Sequence, residues 1–326
     1  MSKDTERLHL NRRGFIRSLF GLTSAAEANL AAAGKGAANL QSKAEAKAKG
    51  KPVIAGEWFW SNIRTGQIGF PAGLTLRQNR PGSVMKLIAT AALHNEGLVN
   101  ANEIVECNGG ATVIQTSAGK ETVVCQFAHG NVTLAHAIGY SCNVYFATMA
   151  RRLNGHTFIT YATRFGLDQP VAARKSGPFP TQINDHSTAY VLGLAEDLQP
   201  TALQLLRVAS LVASRGHVPY MHSAEDMAEH PPFELELSEG TWNRLSEGMR
   251  FCVLHGTAKG LDPDNKLEIA AKTGSVLHAG KMHSWITGYF PLDNPEHSFC
   301  VWSPSGTSHD AAVPFANKVL LGNKWS

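Results

Sequence analysis

The spacing of apolar and polar positions changes character along the chain. From residue 52, "PVIAGEWFWSNIRTGQIGF" holds two short runs of strand composition around "RTG", which predicts a turn or hairpin. Helical spacing follows over 83–95, over about 133–153, and in "PTALQLLRVASLVASRG", where Pro200 can open a helix and Gly216 close it. Near the end the period shortens again. "KLEIAAKTGS", "HSWITGYF" and "SFCVWSP" are β-branched and aromatic runs separated by Gly, Pro and Asn. "DAAVPFANKVLLGNKW" predicts a terminal helix, kinked or started by Pro314. Strands at both ends with helices between them predict a mixed α/β fold of the α+β type, in which a sheet pairs N- and C-terminal segments beside an all-helical portion.

Composition bounds this picture. The chain has 326 residues, 43% hydrophobic and 17% charged, which is ample for a buried core and excludes a disordered or fibrous protein. No run of 18 or more uncharged apolar residues occurs, so the body is expected to be soluble. Residues 1–51 hold ten Lys and Arg against four Asp and Glu, and the remaining 275 hold 20 against 22. The net +4 therefore belongs to the N-terminal segment, and the near-neutral body argues against a nucleic-acid face. "NRRGFIRSLFGLTSAAEANLAAAG" places Arg12-Arg13 ahead of Phe15-Ile16 and an Ala-rich stretch, so residues 1–33 resemble a twin-arginine-type export signal. Residues 34–51 alternate Ala with Lys and Glu and read as a linker, leaving 52–326 as the body.

Within the body, "SVMKLIATAALH" is apolar in nearly every helical direction and so marks a buried helix. Its exceptions, Ser83, Lys86, Thr90 and His94, are offset by 3, 7 and 11 residues and fall on one narrow stripe. A serine hydroxyl becomes a nucleophile when a neighbour takes its proton. A lysine one turn away can do so once burial or a second cation drives it neutral. Ser-x-x-Lys alone also describes a capping serine followed by a snorkelling lysine. Two later segments add weight: "GYSCNVYF" supplies Ser141 and Asn143, and "AAKTGS" supplies Lys272, Thr273, Gly274 and Ser275. Ser-x-x-Lys, Ser-x-Asn and Lys-Thr-Gly in that order form the motif set of penicillin-binding proteins and serine β-lactamases.

On these residues the body resembles the transpeptidase domain of penicillin-binding proteins over roughly 52–326. "ECNGGATVIQTSAGKETVVCQFAHGNVTLAHAIGYSCNVYF", "DLQPTALQLLRVASLVASRG" and "EGMRFCVLHGTAKG" are similar to further family segments. The resemblance implies an antiparallel sheet flanked by helices with a helical subdomain, and an active site in the groove between them. It implies acyl transfer on D-Ala-D-Ala stem peptides of peptidoglycan, with Ser83 as nucleophile and Lys86 as its base. Ser141 would relay a proton between Lys272 and the departing amine, while Asn143 holds the substrate amide and anchors Lys86. Lys272, Thr273 and Ser275 would bind the terminal carboxylate, with Gly274 leaving room for substrate against the strand. β-Lactam antibiotics are the implied inhibitors. With neither a glycosyltransferase domain nor a pedestal apparent, the chain reads as a nearly bare catalytic module working beside a separate glycosyltransferase or assembly protein, outside the cytoplasmic membrane. A β-lactamase, a D,D-carboxypeptidase and a non-catalytic sensor are the competing readings; a lactamase needs an acidic deacylation base, and no candidate stands out.

Five cysteines are present, of which Cys107 and Cys125 are the pair expected to form a disulfide, worth about 3 kcal/mol in an oxidising compartment. Cys142, Cys252 and Cys300 read as small buried hydrophobes. The 14 histidines show no His-Glu-x-x-His spacing and no phosphate loop is present, so neither a metal nor a cofactor is expected.

Overall fold

Strand β1 (Glu57–Asn62) turns at Arg64–Gly66 into the short β2 (Ile68–Gly69), so the "RTG" turn forms where its composition placed it. The computed structural model describes residues 56–70, 76–116, 119–183, 187–224, 230–278 and 280–325. The segments read as export signal and linker lie outside the described residues. A 3-10 turn, Gly82–Met85, runs into helix α1 (Lys86–Asn95). Next come β3 (Val105–Cys107), β4 (Gly110–Thr116), β5 (Gly119–Cys125) and β6 (Gly130–Val132), paired as two small antiparallel ribbons, β3 with β6 and β4 with β5.

The helical portion continues through α2 (Leu134–Gly139), α3 (Asn143–Ala150), α4 (Gly155–Arg164), α5 (Ser187–Val191) and α6 (Ala202–Ala213). A two-residue pair, β7 (His217–Val218) with β8 (Phe233–Glu234), precedes α7 (Glu239–Leu254). The chain then returns to the sheet as β9 (Ala270–His278), β10 (Lys281–Phe290) and β11 (His297–Ser303), and a π-helical turn at Ser308–Ala312 leads into α8 (Val313–Leu321).

Among the described residues the main sheet has five antiparallel strands in the order β2-β1-β11-β10-β9. Pairing of β1 with β11 joins the two ends of the chain, as the sequence pattern predicts. The C-terminal strands are apolar on both faces because both faces are covered. Trp285 and Tyr289 of β10, with Cys300 and Trp302 of β11, enter a core shared with α6 and the helical portion. Their alternates, Ile286, Phe290, Phe299 and Val301, pack with α8 residues Phe315, Ala316 and Leu320 on the other face. The edge strand β9 borders the helical portion, and its Lys272 and Gly274 sit on that border.

Two expected helices differ in detail. The helix expected over about 133–153 is broken: α2 ends at Gly139, Ser141 takes φ +56°, and α3 starts at Asn143. Ser141 thus stands on a turn rather than inside a helix, because a left-handed residue cannot continue the ladder and Cys142 becomes the N-cap, its Sγ accepting from the Tyr145 N–H. Helix α6 begins at Ala202 rather than at Pro200, with Thr201 as its cap and reciprocal Thr201 and Gln204 hydrogen bonds forming a capping box. Among the described residues no helix is long and apolar enough to cross a membrane.

Because Thr201 is buried and its hydroxyl caps α6 directly beneath the sheet, Thr201→Ala is expected to cost about 1–2 kcal/mol. A lowered urea midpoint at unchanged slope is the signature; an unchanged midpoint would show that the cap contributes nothing.

Candidate active site

Ser83 lies in the 3-10 turn between Pro81-Gly82 and α1, one turn before Lys86, whose N–H bonds the Ser83 carbonyl. The turn is pressed against β9 by two glycines. Gly82 has φ +55°, and a Cβ there would meet Val276 Cγ2 at 2.6 Å and the Ser275 carbonyl at 3.0 Å. A Cβ on Gly274 would stand 2.4 Å from the Pro81 carbonyl oxygen. Gly274 is therefore needed for the serine turn to approach the strand, a requirement additional to the room for substrate expected of it. The Gly82 N–H also bonds Gly193 O at 3.1 Å, tying the loop after α5 to the same turn.

Lys86 and Lys272 are fully buried, and both reach the hydroxyl of Ser141. Lys86 Nζ donates to Ser141 O and Asn143 Oδ1, both at 2.6 Å, and lies 3.4 Å from Ser141 Oγ. Lys272 Nζ is 3.0 Å from the same Oγ and donates to Thr273 O at 2.8 Å. Among the described residues neither lysine has a carboxylate partner. Burial, reinforced by the charge of Lys272, holds the Lys86 amine well below the usual lysine range. The Phe146 ring 5.5 Å from Nζ favours the charged form, but desolvation outweighs it. Burial likewise brings Lys272 down to about 8.

The strand alternates beyond Lys272. Thr273 Oγ1 meets Thr257 Oγ1 at 2.5 Å, while Ser275 Oγ accepts from the Ser308 N–H at 2.9 Å and lies 3.3 Å from Ser308 Oγ. These two hydroxyls face one side, and Lys272 and Gly274 face the serine turn. Lys272 is thus held both at the Ser141 hydroxyl and at the backbone carbonyl of Thr273, not at the hydroxyls of Thr273 and Ser275. Thr257 and Ser308 are neighbours that motif reading missed: "HGTAKG" contains Thr257, but nothing local to Ser308 announces it.

The stripe residues beyond Lys86 turn away from this chemistry. Thr90 is buried, and His94 Nδ1 bonds Thr241 Oγ1 at 2.8 Å against α7. His283 is buried with Nε2 on the Arg80 carbonyl at 3.2 Å. All five cysteines are free thiols, so the expected Cys107–Cys125 disulfide is absent. Instead Cys107, Cys125, His129 and Cys142 converge in space, a juxtaposition that their linear spacing does not announce.

A family model described as the penicillin binding protein transpeptidase domain matches residues 38–321. The chain belongs to that family. It is 27% identical over 248 residues to penicillin-binding protein PbpB of Mycolicibacterium smegmatis, covering 67% of this chain and 38% of that protein. It is 22% identical over 286 residues to peptidoglycan D,D-transpeptidase MrdA of Haemophilus influenzae, covering 74% of this chain and 43% of that protein. The chain thus spans well under half the length of these curated relatives. Among solved structures it is similar to Pseudomonas aeruginosa PBP2 in complex with WCK 5153, with a TM-score of 0.69 and 22% identity, covering 87% of this chain and 73% of that one. That likeness establishes the shared fold.

Gly274→Ala is expected to force the Ser83 turn off β9 and to cost about 1–3 kcal/mol of stability, read as a lower unfolding midpoint. Undiminished stability would show that the turn and strand can separate freely.

Proposed function

We propose that the protein is a serine D,D-transpeptidase that crosslinks peptidoglycan through an acyl-enzyme on Ser83. The observation that carries the reading is the convergence of two buried lysines, without a carboxylate, on the Ser141 hydroxyl beside the Ser83 turn. Serine chemistry needs a neutral amine as base, and burial beside a second cation is the physical means of making one. A neutral Lys86 keeps its two short bonds, to Ser141 O and Asn143 Oδ1, and has a lone pair left for the Ser83 proton. The names of the curated relatives, a penicillin-binding protein and a D,D-transpeptidase, agree with this assignment.

In the first half-reaction Ser83 Oγ bonds to the carbonyl carbon of the penultimate D-Ala as its proton passes to Lys86. The backbone N–H groups of Ser83 and Ser275 receive the developing oxyanion, a contribution of about 3 kcal/mol each in such sites. Collapse breaks the C–N bond, and Ser141 gives its proton to the departing D-Ala amine while drawing one from Lys272. In the second half-reaction the acceptor amine attacks the ester carbonyl while its proton passes through Ser141 to Lys272, the C–Oγ bond breaks, and Ser83 recovers its proton from Lys86. Asn143 orients Lys86 and the substrate amide. The hydroxyls of Thr273 and Ser275, with the charge of Lys272 behind them, receive the terminal carboxylate. The edge position of β9 lets an extended peptide add as a further strand. Peptidoglycan lies beyond the cytoplasmic membrane, so the domain acts on its outer face or in the periplasm. Glycan strands would come from a separate glycosyltransferase.

No described carboxylate bonds Ser83, Lys86 or Ser141, which favours a long-lived acyl-enzyme over a β-lactamase. Incubation with fluorescent penicillin is expected to give a stable adduct that Ser83→Ala abolishes and Lys86→Ala slows by at least about a thousandfold. Rapid turnover would mark a lactamase. Labelling without crosslinked product from lipid-linked peptidoglycan, with a glycosyltransferase supplied, would mark a sensor, and product limited to released D-Ala a carboxypeptidase.

Acylation should also depend on pH through Lys272. Its ammonium is lost as pH rises through about 8, removing both the carboxylate's countercharge and the proton donor. The acylation rate constant should therefore fall above about pH 8, and Lys272→Arg, which keeps the charge but cannot give up a proton, should be slower throughout and lack that limb. A rate that is flat to pH 10 in the parent protein would remove Lys272 from this role.

A further inference from the structure

The residues that lead into Ser83 are held by several separate pieces of chain. Arg80 is buried, and its guanidinium forks between two of them. Nη1 donates to Leu194 O at 3.1 Å, in the loop after α5, and Nη2 donates to Leu277 O at 2.9 Å, near the end of β9. Nη1 also stands 3.3 Å from Glu196 Oε1, on a side chain that is 35% exposed. The Arg80 carbonyl is held in turn by two rings of β10, Trp285 Nε1 and His283 Nε2, both at 3.2 Å. A carbonyl only accepts, so His283 carries a proton on Nε2.

The composition of the stretch explains why it needs this support. Pro81 has no N–H to donate, and Gly82, at φ +55°, has no side chain to pack, so neither anchors the backbone by itself. Their remaining groups are taken up: Pro81 O accepts the Val84 N–H at 3.5 Å, and the Gly82 N–H reaches Gly193 O at 3.1 Å. A Cβ on Gly193 would stand 2.0 Å from Gly82 O, so the same loop that receives Arg80 also touches the turn directly. Arg80 therefore joins the 193–196 loop, β9 and β10 at the point where the chain enters the serine turn. An ammonium lacks the planar fork that reaches two carbonyls on separate elements, so lysine is a poor substitute. The ion pair with Glu196 adds less than the carbonyl bonds, because solvent screens it.

We propose that Arg80 is a positioning residue for Ser83: it locks the loop after α5 and the end of β9 to the entrance of the serine turn, and so sets where the Ser83 hydroxyl stands relative to Lys86 and β9. Arg80 touches no reacting atom and moves no proton. Its removal takes a donor from the carbonyls of Leu194 and Leu277 and releases the turn from both elements. A displacement of about 1 Å at a reacting group slows its reaction about a hundredfold. The effect on rate rests on the serine acyl-enzyme reading; the holding of the turn does not.

The test compares Arg80→Met, which fills similar space without donors, and Arg80→Lys with the parent in the full chain, by two measurements. In penicillin acylation the rate constant of the covalent step should fall about a hundredfold for Arg80→Met and less for Arg80→Lys, while the dissociation constant of the preceding complex changes by less than about threefold. His283→Leu, which removes one of the two donors to the Arg80 carbonyl, should fall in between, and Glu196→Gln, which keeps both carbonyl bonds, should lose less than about threefold. Asn154→Ala, which removes the cap of α4 outside these contacts, should lower the unfolding midpoint and leave acylation alone. In hydrogen exchange, backbone amides over 80–86 should exchange at least about tenfold faster in Arg80→Met, with α4 unchanged. A parent-like covalent step in Arg80→Met, a loss carried by the dissociation constant, unchanged exchange over 80–86, or rates that merely follow the unfolding midpoint, Asn154→Ala included, would overturn the positioning role. If Arg80→Met does not fold, Arg80→Lys and His283→Leu carry the same comparison. Faster exchange over 80–86 in a protein that penicillin never acylates would leave the clamp standing and sink the serine reading instead.

Discussion

Two lysine amines flank one hydroxyl in a space where no carboxylate of the described residues neutralises them. Lys86 and Lys272 are both fully buried, and each is within 3.4 Å of Ser141 Oγ. Placing two such groups together out of water is costly when both are charged. The cost is lowered by letting one stay neutral and by surrounding both with carbonyl and amide oxygens. The remainder of the site can be understood as what holds this arrangement in place.

Each of the three chemistry-bearing motifs comes from a different kind of element. Ser83 is on a 3-10 turn, Ser141 on a left-handed break between two helices, and Lys272 on the edge strand of a sheet buried on both faces. Rigid packing on each side makes their meeting reproducible: α1 runs through the helical core, and β9 is anchored by nine residue pairings to β10. The contact between Gly274 and Pro81 sets how closely the two halves approach. The break at Ser141 is the least self-supporting part, because a non-glycine residue at φ +56° is locally unfavourable. The cysteine and histidine cluster lies immediately beside that residue.

Burial also favours the pairing of polar groups between α6 and the sheet. The hydroxyls of Ser210 and Ser298 join α6 to β11 at 2.7 Å, and Thr287 donates to Leu205 O on the same helix at 3.1 Å. An unpaired group there would lose more than the pairing contributes. The sheet beneath the site is thus bound to its covering helix by directional contacts as well as apolar ones.

Local pattern alone determined the strand runs at both chain ends, the buried helix of Ser83 and Lys86, and the order of the three motifs, because alternation, helical periodicity and spacing are properties of neighbouring residues. It opened α6 at Pro200, ahead of its first residue Ala202, and ran a single helix through Ser141, since nothing local reveals that this serine is left-handed. Only the tertiary structure decided that Gly274 makes way for Pro81, that Thr257 and Ser308 stand beside the Lys-Thr-Gly strand, and that Cys107 and Cys125 face His129 and Cys142 rather than each other alone. Those outcomes depend on residues tens of positions apart whose distances are set by how sheet and helices pack, a quantity that no short window of sequence contains.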